Sequence, residues 1–110
     1  MSLKEKILIA DDSEMNQMLL EEILSDKYEY VMAKDGTEAV DILEKNDDID
    51  LVMLDINMPK MDGFGVLEIM NLRHWISEVP VIIISSESDV DFIRRGYDLG
   101  ASDYISRPFD

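Results

Sequence analysis

Three carboxylates stand where apolar runs give out. Asp11-Asp12 follows Lys6-Ile7-Leu8-Ile9-Ala10, and Asp55 follows Leu51-Val52-Met53-Leu54. Two further runs end in groups of other kinds: Val81-Ile82-Ile83-Ile84 leads to Ser85-Ser86, and the weaker Asp103-Tyr104-Ile105 to Ser106-Arg107. A charge at the end of a buried strand is costly unless something compensates it. If the runs are neighbouring strands of one sheet, the three carboxylates meet, and they repel one another without a cation. Hard oxygen ligands with no His or Cys among them favour Mg²⁺, which keeps several waters and uses few carboxylates. A hydroxyl from Ser85 and a positive charge from Arg107 beside that cup could stabilise the oxygens of a phosphoryl group. Asp55, with its charge screened, is a competent nucleophile. The chemistry suggested is transfer of a phosphoryl group to Asp55.

The runs that carry these residues are short and unbroken, as expected of parallel strands buried on both faces. A further weak run spans Tyr28 to Ala33. Between the runs lie segments of helical period. Met15, Met18, Leu19, Glu22 and Ile23 recur at helical spacing with the apolar residues on one side. Ala39, Val40 and Leu43 do the same behind Asp35-Gly36-Thr37-Glu38, an N-cap with a carboxylate three positions on. Phe64, Leu67, Glu68 and Met70 to Trp75 predict a third helix capped by Asp62, and Ser88 is placed to cap a fourth over about Asp89 to Leu99, ended by Gly100. Strictly alternating strands and helices with short connections imply right-handed crossovers and a parallel sheet between helical layers. The fold class is therefore α/β and doubly wound, with a five-stranded parallel sheet. Functional crevices in such sheets lie at the carboxyl ends of the strands, where the carboxylates stand.

With 110 residues the chain is one domain. It holds no repeat or internal linker, and its 46% hydrophobic and 32% charged residues are those of a folded soluble protein. A sheet covered on both faces calls for another helix after the fifth strand, so residues 1–110 read as a domain cut short at a boundary in a longer protein. No apolar run is long enough to span a membrane, Met1 to Lys6 lacks the apolar stretch of a signal peptide, and there are no cysteines. A cytoplasmic location is the default. The formal charge of −15 makes a poor surface for phosphate backbones and argues against direct nucleic-acid binding.

Taken singly, these residues have plainer explanations: Asp12 or Asp62 as a helix cap, Ser85 in a turn, Arg107 on the surface, Tyr104 in the core. Taken together, Asp11-Asp12, "LDINMPKMDG" at 54–63, "PVIIISS" at 80–86 and "GASDYISRPF" at 100–109 resemble the receiver domain of two-component response regulators. The resemblance runs from Lys6 to Asp110 in the right order and spacing. It implies a flavodoxin-like sheet in the order 2-1-3-4-5, with the final helix of the family missing from this chain. It implies Asp55 as phosphoacceptor, and Asp12 and Asp55 as direct Mg²⁺ ligands. Asp11 would act on the metal through water, and the main-chain carbonyl of Asn57 would complete the site. Ser85 matches the switch hydroxyl and Tyr104 the aromatic that responds to it. Met58-Pro59 and Gly63 match the loop that floors the site, and Asn57 and Glu87 the two positions that influence acyl-phosphate lifetime. Two features depart from the family pattern: Arg107 stands where a lysine is usual, and the last helix is absent.

The expected function is a phosphorylation-gated signalling switch. It would receive its phosphoryl group from a histidine kinase or histidine phosphotransfer protein and change its interaction with an output domain or downstream partner. It would be no enzyme beyond catalysing its own phosphoryl transfer and dephosphorylation. One alternative is a pseudo-receiver that has lost phosphorylation, an idea fed by Arg107. A remoter one is a Mg²⁺-dependent phosphohydrolase acting through an aspartyl phosphate. Enzymes of that haloacid-dehalogenase-like kind want a second Asp two residues after the nucleophile, where this chain has Asn57. Gly63-Phe64-Gly65 is no dinucleotide fingerprint, because no strand immediately precedes it and the third glycine is absent. His74 reads as a solvated or helix-end residue.

Overall fold

In a computed structural model the described residues are 4–86 and 90–106. The apolar runs form strands β1 (Lys6–Ala10), β2 (Glu29–Ala33), β3 (Leu51–Asp55), β4 (Val81–Ser85) and β5 (Asp103–Ser106). All neighbours are parallel, in the order β2-β1-β3-β4-β5. Strands β1 and β3 are central, so their apolar residues are covered on both faces; Leu8, Ile9, Val52 and Leu54 have no exposed surface. That double cover is why these strands read as continuous apolar runs.

The helices between the strands are α1 (Glu14–Leu24), α2 (Gly36–Lys45), α3 (Gly63–Leu72) and α4 (Val90–Asp98). Side-chain oxygens of Ser13, Asp35 and Asp62 cap the first three, each accepting the N–H three residues on. Glu38 closes the predicted box at α2 one residue further out, its carboxylate accepting the N–H of Lys34. Gly100, at φ +103°, makes the left-handed turn after α4. The expected cap Ser88 and the first expected helical residue, Asp89, lie outside the described residues. Helix α3 ends at Leu72, earlier than the apolar pattern through Trp75 predicts. The Asn71 side chain bonds the carbonyls of Leu67 and Leu99, His74 takes the left-handed conformation, and Trp75–Ser77 follows as a single 3₁₀ turn. His74 is thus an exposed residue just past the helix end.

The sheet separates two cores. One face carries Leu8, Ala10, Val52, Leu54, Val81 and Ile83 and packs on α2 and α3, with Phe92 and Leu99 flanking it. The other face carries Ile7, Ile9, Met53 and Ile84, and Leu20 of α1 packs there. Here the structure departs from the sequence pattern. Met15, Met18, Leu19 and Ile23, the apolar stripe of α1, are exposed, whereas Gln17 and Leu20 face the sheet. The helix is rotated so that the Gln17 side chain reaches the carbonyls of Asp11 and Ala33 at the strand ends, 2.7 and 3.4 Å away. Replacing Leu20 by alanine should therefore cost about 2–5 kcal/mol, while Met18→Ala should change stability by less than about 0.5 kcal/mol. Urea denaturation of both variants checks this, and an equal cost would mean that α1 presents its Met18 face to the sheet.

Candidate functional site

The site lies at the carboxyl ends of β1, β3 and β4. Register brings its parts together: Ala10 pairs with Leu54, so Asp11 follows on beside Asp55; Asp55 pairs with Ile84, so Ser85 comes one step later on the neighbouring strand. Carboxylate oxygens of Asp11, Asp12 and Asp55 lie within 4.8 Å of one another. Asp11 and Asp55 are 1% and 2% exposed and Ser85 is fully buried, while Asp12 is open to solvent. Backbone N–H groups already turn toward the buried charges: Ser13 donates to Asp11 at 2.9 Å, and Asn57 to Asp55 at 3.2 Å. The donor set is all hard oxygen and carries concentrated negative charge, which fits Mg²⁺ and fits poorly any metal that prefers nitrogen or sulfur.

The floor of the site is the β3–α3 loop, held by backbone contacts that require glycine. Gly63 donates to the Ile56 carbonyl at 2.8 Å, and a Cβ at Gly63 would lie 2.5 Å from the Asp55 carbonyl oxygen. Only glycine lets α3 start this close to the strand that ends in Asp55. Across the loop, Gly36 at the start of α2 donates to the Met61 carbonyl at 3.0 Å, and a Cβ there would lie 2.2 Å from that oxygen. Lys60 adopts a left-handed φ of 67° and sets its ammonium 3.7 Å from the buried Asp35 carboxylate. This tie between α2 and the loop after Asp55 is invisible in the sequence, where Asp35 reads only as a cap.

On the other side of the site, β4 and β5 place the Tyr104 hydroxyl 3.5 Å from the Ser85 carbonyl oxygen, with the ring packed partly buried against the larger core. Asn57 is exposed at the loop start. Asp11, Asp12, Asp55, Asn57 and Ser85 thus lie at the carboxyl ends of the strands, with Tyr104 on β5 beside the Ser85 carbonyl. Arg107 and Glu87 lie outside the described residues.

Both fold and motifs match known proteins. The response regulator receiver domain family matches residues 7–110. A probable transcriptional regulator, ycf27, of Porphyridium aerugineum is 43% identical over 107 residues, spanning 96% of this chain and 43% of that protein. The transcriptional regulatory protein CpxR of Escherichia coli K12 is 35% identical over 105 residues, with 94% and 43% covered. The chemotaxis protein CheY4 of Vibrio cholerae superposes with a TM-score of 0.87 at 28% identity, over 97% of this chain and 89% of that one. The chain belongs to the receiver domain family of two-component response regulators, whose general role is phosphorylation-gated signalling. It spans less than half the length of these two regulators. Among the described residues, no helix is long and apolar enough to cross a membrane.

The Asp35 tie has a pH signature. The Thr37 hydroxyl and then the Glu38 N–H hold the Asp35 carboxyl below its ordinary 3.8; the Lys60 charge adds a smaller effect, and desolvation opposes them. A depressed folded pKa stabilises the fold above the unfolded value and loses that contribution as pH falls through the folded one. The stability difference between the parent and Asp35→Asn should accordingly be constant above about pH 5 and shrink below about pH 4. Urea unfolding across that range measures it, and a difference unchanged by acid would show that Asp35 titrates alike in the folded and unfolded chains.

Proposed function

We propose that Asp55 accepts a phosphoryl group from the phosphohistidine of a histidine kinase or histidine phosphotransfer protein, and that the acyl phosphate switches this domain between two signalling states. The convergence of Asp11 and Asp12 on Asp55, a buried carboxylate at the end of a central strand, carries this reading. Carboxylates of Asp12 and Asp55 and the main-chain carbonyl of Asn57 would hold Mg²⁺ directly, and Asp11 through water. The ion supplies charge neutralisation for phosphoryl oxygens. An Asp55 oxygen attacks phosphorus, and the phosphorus–nitrogen bond to the donor imidazole breaks. The bonding electrons stay on the imidazole nitrogen, and an acyl phosphate remains. The Ser85 hydroxyl and the Arg107 charge would take up the phosphoryl oxygens in place of water. Tyr104, whose hydroxyl already faces the Ser85 carbonyl, would follow a shift of that segment and carry it to the surface around β5.

This makes the domain a cytoplasmic signalling module and no enzyme beyond its own phosphorylation and dephosphorylation. Its output domain or partner protein reads the altered surface. A charge of −15 disfavours DNA contact by this domain; in a transcriptional regulator such contact would fall to another part of the chain. Arg107 supports a second reading, the pseudo-receiver. Arginine keeps the charge but spreads it over a planar fork, and such exchanges at a geometric site are not conservative.

Mass spectrometry after incubation with Mg²⁺ and a small phosphodonor tests the reading. The parent should gain one phosphoryl group at Asp55, Asp55→Asn none, and Asp12→Ala should lose both rapid labelling and the Mg²⁺-dependent rise in melting temperature. Arg107→Lys should label within about tenfold of the parent, roughly 1.4 kcal/mol of barrier. Labelling of the lysine variant alone would establish the pseudo-receiver, and labelling at another residue would overturn the phosphoacceptor assignment. The amide of exposed Asn57, with Glu87 at the other lifetime position, can orient water toward the acyl phosphate. The modified protein should therefore lose its label in seconds to minutes at neutral pH, and persistence for many hours would contradict that role.

A further inference from the structure

Asp12 poses a problem of aim. Its carboxylate is exposed, and among the described residues it makes no hydrogen bond or ion pair, yet it points at the two buried carboxylates of the site. A side chain without partners is directed by its backbone. The backbone in question is the peptide group between Asp11 and Asp12, whose carbonyl belongs to Asp11.

That carbonyl is held by Gln17. The Gln17 amide nitrogen donates to it at 2.7 Å, in a contact buried between α1 and the sheet, and lies 3.4 Å from the Ala33 carbonyl at the end of β2. Ala33 also accepts the Asp11 N–H at 3.0 Å. The peptides on either side of Asp11 are therefore both held, Ala10–Asp11 by its N–H bond to Ala33 and Asp11–Asp12 by the Gln17 side chain of α1. The residue after it is fixed as well: the Ser13 N–H bonds the Asp11 carboxylate at 2.9 Å, and the Ser13 carbonyl accepts the Gln17 N–H at 3.0 Å. A glutamine only 8% exposed on the sheet-facing side of a helix is a poor choice for packing alone. Its amide nitrogen gives the Asp11 carbonyl a donor that an apolar residue of the same size would not supply.

We propose that Gln17 is a positioning residue of the metal site: by holding the Asp11 carbonyl, it sets the peptide plane that directs Asp12 toward Asp11 and Asp55. The proposal rests on reading this cluster as a Mg²⁺ site. Its test uses Gln17→Met, which keeps length and apolar bulk but removes the donor. Gln17→Lys restores an N–H donor on a similar stem, and Leu20→Met disturbs the same helix face without touching the peptide. The readouts are the Mg²⁺ dissociation constant of the folded protein by calorimetry and amide hydrogen exchange at Asp12 and Ser13 without metal. Partners behind a metal ligand typically change affinity by ten- to a hundredfold. Gln17→Met should weaken Mg²⁺ binding by about tenfold and speed exchange at these two amides, whereas Gln17→Lys and Leu20→Met should stay within about twofold of the parent. Unchanged Mg²⁺ affinity in Gln17→Met, equal weakening in Leu20→Met, no recovery with lysine, or failure of the methionine variant to fold would each overturn the positioning role while leaving the metal site intact. A parent that binds no Mg²⁺ would overturn the site itself, and the role of Gln17 with it.

Discussion

Like charges brought together at the end of a buried sheet govern this structure. Asp11 and Asp55 are almost wholly removed from solvent and approach each other and Asp12 within 4.8 Å. Three carboxylates so placed oppose folding unless hydrogen bonds and a cation offset their repulsion and desolvation. A divalent cation bound among them would relieve that repulsion. The surrounding segments can be understood by how they keep these charges in place.

They do so with backbone more than with side chains. The loop after Asp55 rests on Gly63, which lets α3 begin against the end of β3, and on Gly36, whose N–H reaches the Met61 carbonyl. The Lys60–Asp35 pair spans the same gap. On the far side of the cluster, Gln17 and Ser13 fix the peptide that follows β1. Helices α1, α2 and α3 therefore each contribute a contact near their first turns to the same small region. Such contacts are short and local, and the loop after Asp55 is tied to the start of α2 by the Gly36–Met61 hydrogen bond and the Lys60–Asp35 ion pair.

The two faces of the sheet are built unequally. Helices α2 and α3 bury a large apolar core, with α4 flanking it, whereas among the described residues α1 alone contributes a helix to the core on the opposite face. On that side Met15, Met18, Leu19 and Ile23 remain open to solvent, and Ile105 on β5 is 36% exposed. A closely packed face and, among the described residues, a more sparsely covered one meet at the strand ends that carry Asp11, Asp55 and Ser85.

The sequence by itself determined the five strands, the parallel α/β order, the helix caps Asp35 and Asp62, and the convergence of Asp11, Asp12, Asp55 and Ser85. Buried parallel strands must be continuously apolar, and a polar residue ending each run is conspicuous against that background. Tertiary structure alone decided which side of α1 faces the sheet, where α3 stops, and how Asp35, Lys60 and Gln17 act. In α1 and α3 a local pattern gave way where a polar side chain met carbonyls that the fold brings near it. The apolar stripe of α1 gave way because Gln17 could answer the carbonyls of Asp11 and Ala33, and α3 ended early where Asn71 reached Leu99. Hydrophobic periodicity reports what a segment can bury, but the partners of its polar groups exist only once the chain has folded.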